Sequence, residues 1–506
     1  MAQSQNSSEQ LKPHQLIWQL MEGFRTRYAW AIAALVVFTL INYLAPLVAS
    51  ATIDLALSTE EGEVPSITRW VLDLLGGAEF VKAHLWTPAL VMVVLTIVAG
   101  VFSFLKGRLS ASASDGIARR LKDRLYDHLQ HLPQRYHDKA ETGDLIQRCT
   151  SDVETLRMAL SSQVVDVSNS LLLLSTAVPI MMALDARMAA WSFVLVVPVI
   201  LFGYFYVGRV KHRFQEVDEA EGRVTKSVQE NLAGLRVVRA FGQQEQEIEK
   251  FAVPNQEYRD RTLHLIRLMA LYWSISDLVV LVQQGLILFI GAHYISGGTM
   301  TVGTLVAFMM FLNLLLWPVR QMGRTLTELG KSVVALNRVG EILSEEEEKD
   351  PDEPARLAAD RASGEIEFDG VSFGHREGHA ALHDISFRIP AGNTLAIVGP
   401  SGSGKTTILN LLLRFYDYEK GSICLDGLEL SEFERKWVRS QFGIVMQEPF
   451  LYSKTIGDNL RQARSEALQD ELNEAARMAD IHETISGFSS SYETLVGEKG
   501  VTLSGG

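Results

Sequence analysis

The chain has 506 residues, too many for one ordinary domain. Its formal net charge of −13 argues against a nucleic-acid partner, which would require a basic face. Two cysteines, Cys149 and Cys424, lie far apart and suggest neither a disulfide framework nor a Cys-rich metal site.

Residues 1–27 form an N-terminal segment. Its first 15 residues are polar and lack the basic stretch and short apolar core of a cleavable signal peptide. Leu16, Ile17, Leu20, Met21 and Phe24 recur at helical spacing. That pattern fits an amphipathic helix at a membrane interface as well as an ordinary cytosolic lead-in. From 28 to 330 the text is that of an all-α membrane domain with six spans. A helix needs about 20 apolar residues to cross the hydrocarbon, and candidates lie near 28–53, 86–109, 161–184, 189–207, 270–295 and 304–326. The first connection, 54–85, is acidic, and its stretch 67–75 could form a short helix lying on the membrane.

Two long, charged segments, 110–160 and 208–269, separate the spans as helical extensions. Arg119, Arg120, Lys122 and Arg124 lie in the first, and Arg209, Lys211, Arg213, Arg223 and Lys226 in the second. The opposite connections are short or poor in charge, so the basic segments belong in the cytosol. The N-terminus and the end of the sixth span are then cytosolic too, and the lipid bilayer is the first partner. Asp277 is either a water- or substrate-facing acid within the fifth span or a residue near its wet end. Gln283, Gln284, Asn313, Ser168 and Asn169 either line a cavity or bond between helices. Pro198 and Pro318 are candidate kinks.

Residues 331–363 read as a linker that includes four consecutive glutamates, Glu345 to Glu348, followed shortly by Pro351. Residues 364–506 read as an α/β nucleotide-binding domain, with strands at 364–373, 385–389 and 421–426 and a turn at Asp426-Gly427. The apolar run 394–398 reads as a buried strand. It leads into Gly399, Pro400, Ser401, Gly402, Ser403, Gly404, Lys405 and Thr406, and 407–415 is helical in content. Strand, glycine-rich turn and helix are the setting of a P-loop. Its glycines let backbone N–H groups point at phosphate oxygens, and the helix N-terminus adds positive potential. Lys405 then reaches the β- and γ-phosphates, and the Thr406 hydroxyl meets Mg2+. Thr407 completes the cofactor-binding run. A second apolar run, 442–446, reads as a buried strand ending at Gln447, a further candidate for the metal.

The P-loop, the Val445-Met446-Gln447-Glu448-Pro449 segment, residues 494–500 and Leu503-Ser504-Gly505-Gly506 together make the chain resemble the ATP-binding cassette exporters. The type is the half-transporter, six spans fused to one P-loop NTPase domain. Thr142-Gly143-Asp144-Leu145 and residues 230–241 resemble the family's coupling regions. The resemblance implies ATP and Mg2+ as cofactors and a second half-transporter, identical or not, as partner. It implies ATP-driven export of hydrophobic or amphipathic solutes, lipids or drugs, by alternating access, from a bacterial inner or plasma membrane. Gln447 would touch Mg2+ and the attacking water, and Glu498 would contact the partner. Ser504, Gly505 and Gly506 would begin the signature that closes over the partner's ATP. The coupling helices would fall near 136–143 and 231–234. His375 stands two residues after Phe373, where the family usually has a tyrosine against adenine. The sequence given stops within the signature, before the family's Walker B acid, catalytic Glu and switch His. The resulting expectation is a C-terminally truncated chain that does not hydrolyse ATP alone. Its alternative is a catalytically incompetent or regulatory membrane subunit paired with a complete half-transporter.

Overall fold

The computed structural model describes residues 18–57, 66–355, 361–376, 379–447 and 450–497. The chain divides into two compact units, Met1–Glu348 and Lys349–Gly506.

The first unit is built on six long helices. These are α1 (Arg25–Leu57), α2 (Trp86–His131), α3 (Thr142–Leu184), α4 (Val196–Ala233), α5 (Gln244–Ser296) and α6 (Val302–Ser344). At about 1.5 Å per residue, the 46 residues of α2 run about twice the thickness of the hydrocarbon. Helices α2, α3, α5 and α6 therefore each carry an apolar span and a polar extension in one rod. Among the described residues, α1, α2, α3, α5 and α6 are long and apolar enough to cross a membrane.

The fourth expected span, 189–207, is not one continuous helix. Helix Ala186–Phe193 stops, Val194 and Leu195 form a turn, and α4 begins at Val196. Pro198 explains the break, because its ring has no N–H to give and clashes with the carbonyl four residues back, that of Val194. Gln283 of α5 repairs the damage. Its Nε2 donates to the carbonyls of Trp191 (2.9 Å) and Ser192 (3.2 Å), and its Oε1 accepts from the Leu195 amide at 3.3 Å. Of the two sequence-based readings of Gln283, bonding between helices is the one observed. Gln284 likewise donates to Asn313 at 2.8 Å. Helix α6 continues through Pro318 without a break.

One apolar core lies where α1, α3 and α6 meet, around Tyr43, Leu47, Met181, Phe308 and Phe311. Buried Asp54, near the end of α1, clasps the start of α6, accepting from the Gly303 amide (2.7 Å) and the Thr301 hydroxyl (2.8 Å). Only glycine fits at 303, since a Cβ there would lie 2.1 Å from the Ser50 carbonyl oxygen. The connection between α1 and α2 contains helix Ser66–Leu74. Val71 and Leu72 pack into this core while Trp70 and Leu74 stay exposed, so one face rests on protein.

A second core joins Leu121 and Leu125 of α2, Val153 and Leu156 of α3, and Leu336, Val339 and Ile342 of α6. Leu20 is buried in it, and Met21 and Phe24 pack against it. Of the lead-in's helically spaced apolar residues, Leu20, Met21 and Phe24 therefore face the bundle; Leu16 and Ile17 lie outside the described residues. Short helices cap the extensions at Gln134–Lys139 and Leu235–Ala240. The second turn thus falls a few residues beyond the expected 231–234.

The second unit holds a four-stranded antiparallel sheet of order β2-β1-β3-β4. Its strands are β1 (Ile366–Arg376), β2 (His379–Ile389), β3 (Lys420–Leu425) and β4 (Leu428–Glu429). Asp426 and Gly427 have φ of 52° and 82°, the paired positive values of a tight hairpin turn. Phe368, Phe373, Leu382 and Ile423 cover the sheet's inner face and pack on Ile408, Leu411 and Leu412 of helix α7 (Lys405–Leu412). The runs 394–398 and 442–446, expected as buried strands, are neither. Val398 is 92% and Val445 97% exposed. A strand in the middle of a sheet takes its hydrogen bonds from neighbours on both edges, and among the described residues no strand pairs with either run.

Candidate nucleotide-binding site

The loop 399–404 leads directly into α7, and its glycines do specific work. Gly402 and Gly404 have φ of 83° and 89°, where a side chain is strained. At Gly404 there is also no room, because a Cβ would meet Leu382 Cδ2 at 2.6 Å and the Ala381 carbonyl oxygen at 2.9 Å. The chain therefore turns against β2 and opens α7 with its first amides unpaired by the helix. Lys405 folds back across the loop, its Nζ donating to the carbonyls of Gly399 (2.8 Å) and Pro400 (2.7 Å). Ser403 Oγ lies 3.4 Å from the same ammonium. Glycine-freed backbone, helix N-terminus and a central ammonium form a cradle suited to a polyphosphate.

His375, at the end of β1, is brought to the cradle's flank. Its Nε2 lies 3.3 Å from Thr407 Oγ1, and its ring stands edge-on to Phe373 (4.9 Å) and Tyr416 (5.1 Å). Thr407 is buried and occupied by this contact, whereas Thr406 and Ser401 are exposed. Tyr416 is an aromatic neighbour the sequence reading missed. It follows α7 and reaches His375 only through the fold, so spacing gave no signal. Gln447 is described and exposed, and no hydrogen bond joins it to the loop among the described residues. Glu498, Ser504, Gly505 and Gly506 lie outside the described residues.

Asp426 ties down the start of β1, at the opposite end of that strand from His375. It accepts from the amides of Ser363 (2.6 Å), Gly364 (3.0 Å) and Glu365 (2.9 Å) and from the Ser363 hydroxyl (2.6 Å). Burial alone would raise its pKa, but the bonds from Ser363 and the neighbouring amides together hold it below the usual aspartate value.

In the membrane unit, the Arg320 side chain is 7% exposed and its Nη1 donates to Asp277 at 2.7 Å. The guanidinium lies over the Trp273 ring at 4.8 Å. Asp277 is thus half of an ion pair between α5 and α6. Its partner was not visible from the sequence.

Fold and site together define a helical membrane bundle joined in one chain to a P-loop nucleotide-binding unit. Residues 29–319 match the model of the ABC transporter transmembrane region, and 382–506 match the ABC transporter model. The chain belongs to the ABC transporter family, whose exporters couple ATP to transport, and it is a multi-pass integral membrane protein. It is 31% identical to the ATP-dependent lipid A-core flippase of Pseudoalteromonas translucida over 82% of this chain and 72% of that one. It is 28% identical to the Bacillus subtilis ABC transporter ATP-binding protein YknU over 96% of this chain and 79% of that one. A bacterial Atm1-family ABC exporter structure with ATP bound superposes with a TM-score of 0.73 at 24% identity, covering 95% of this chain and 81% of that one, which shows the fold.

Proposed function

We propose that this chain is one half of a dimeric ATP-driven exporter of hydrophobic or amphipathic solutes that works by alternating access in a bacterial inner membrane. The observation that carries this reading is the cradle at 399–406, built on α7 in the same chain as a membrane bundle. The lipid-linked activity named for the flippase relative supports a lipid-like solute. The basic extensions support a cytosolic position for the chain's N-terminus and nucleotide unit.

In this reading Lys405 turns from the loop carbonyls to the β- and γ-phosphates, and the amides of 402–406 hold the remaining oxygens. His375 offers its free face to adenine. The Thr406 hydroxyl and the Gln447 side chain are the groups for Mg2+, which when bound neutralises charge on the phosphates. Ser504, Gly505 and Gly506 are assigned to the contact with ATP held by a second half-transporter. The test is Mg·ATP binding to the purified chain, followed with a fluorescent ATP analogue. Lys405→Ala should weaken it at least about tenfold, the loss of a charge-assisted phosphate contact. A wild-type chain that retains no Mg·ATP overturns the proposal.

A further inference from the structure

The connection between α1 and α2 lies at the ends of these spans away from the basic extensions. It carries two short helices, Ser66–Leu74 and Ala78–Ala83, and the first packs on α1. At about 100° per residue, the side chains of the first helix divide into three strips. Thr68, Val71 and Leu72 form one strip and are buried against protein. Arg69 and Asp73 form a second, exposed and roughly opposite the first. Trp70 and Leu74 form the third, to one side of both, and are 57% and 70% exposed. A helix on an aqueous surface needs only a protein face and a polar face. An exposed apolar strip beside them suits a helix lying where a protein wall meets a membrane surface.

This strip is continuous with the exposed side of a span. Phe80, on the second short helix, stacks on His84 at 4.7 Å, and His84 stands edge-on to Trp86, the first residue of α2, at 6.4 Å. Phe80 and Trp86 are both exposed. From Trp86 an apolar line runs along α2 through Leu90, Val93, Ile97, Val101 and Phe104, each more than half exposed. Their spacing of three or four residues puts them on one side of the helix. That uncharged side is the one α2 offers to hydrocarbon. The aromatic row stands at its end, where tryptophan collects at the depth of lipid headgroups.

We propose that Trp70, Leu74 and Phe80 seat this connection in the headgroup region of the bilayer, on the leaflet opposite the basic extensions, with Arg69 and Asp73 turned to water. The occupant of the strip is the same lipid surface that borders α2. The inference stands on the α1–α2 connection alone and does not depend on the transport reading.

The experiment places an environment-sensitive fluorophore on Leu74→Cys or on Asp73→Cys in the full chain, with Cys149→Ser and Cys424→Ser, in phosphatidylcholine nanodiscs. Iodide reports water, and a lipid with a nitroxide high on its acyl chain reports the interface. An interfacial helix buries its apolar face about 5–10 Å into the headgroup boundary, so iodide should quench the label at 74 about fivefold less than the label at 73. The lipid nitroxide should quench position 74 and spare position 73. Phe80→Cys should behave as position 74 does, and it replaces that variant if labelling there disturbs thermal unfolding. Equal iodide quenching at 73 and 74 overturns the inference. So does a label at 74 shielded from both quenchers, which assigns the strip to a second protein chain.

Discussion

Arg320 shows how a membrane bundle tolerates a buried cation. Its charge is met by one carboxylate and one indole face, while its Nε and Nη2 find no acceptor among the described residues. Removing Asp277 would leave the guanidinium buried and unmatched. Breaking a fully buried pair costs about 3–5 kcal/mol, but Asp277 is 64% exposed, so Asp277→Ala should cost about 2 kcal/mol. The double change Asp277→Leu with Arg320→Met removes both charges and should recover most of that loss in thermal unfolding of the detergent-solubilised chain. A double variant as unstable as the single one would show that the pair is not what Asp277 supports. At the nucleotide site, Gly404→Ala meets both positive φ and a 2.6 Å clash with Leu382. It should lower ATP-analogue affinity at least about tenfold, an effect of 1.4 kcal/mol or more, even though Lys405 is untouched. The P-loop was legible from the sequence because its chemistry is written in consecutive residues. Arg320 and Tyr416 were not, because each meets its partner across more than 40 residues of chain.

At the scale of elements, the break before α4 is the clearest case of a span that hydropathy described incompletely. Apolar content at 189–207 called for one helix, and Pro198 decided otherwise. The freed polar groups could stay in an apolar bundle only because Gln283 was there to take them. Gln283→Leu preserves shape but takes the printed partner from the Ser192 carbonyl and the Leu195 amide, while the Trp191 carbonyl keeps the Val194 amide; the change should cost about 1–3 kcal/mol. Thermal unfolding would read the loss, and hydrogen exchange at the Leu195 amide should quicken. An unchanged exchange rate would mean that the turn is held by other contacts. The antiparallel strands were readable because turn residues such as Asp426-Gly427 and alternating side chains are local signals. The runs 394–398 and 442–446 were misread for the opposite reason. Their apolar sequence states what they would bury, while strand formation depends on neighbours that the run itself does not specify.

For the molecule as a whole, the cores of the two units are drawn from separate stretches of chain: the first from residues before 349, the second from residues after it. Heating should therefore give two transitions, and ligand linkage can assign them. Mg·ATP at one hundred times its dissociation constant stabilises the unit that binds it by about 2.7 kcal/mol. The transition of the nucleotide unit should rise accordingly, the other should stay, and Lys405→Ala should abolish the shift. Acid should single out the same transition. Asp426 has its pKa lowered in the folded state, so its contribution is fully present above the ordinary aspartate pKa of about 3.9 and is lost as pH falls through the folded value. Asp426→Asn should thus lower the nucleotide-unit transition at pH 7, yet make it less steeply dependent on pH below about 4 than in wild type. Equal pH slopes in the two proteins would locate the acid sensitivity in other carboxylates.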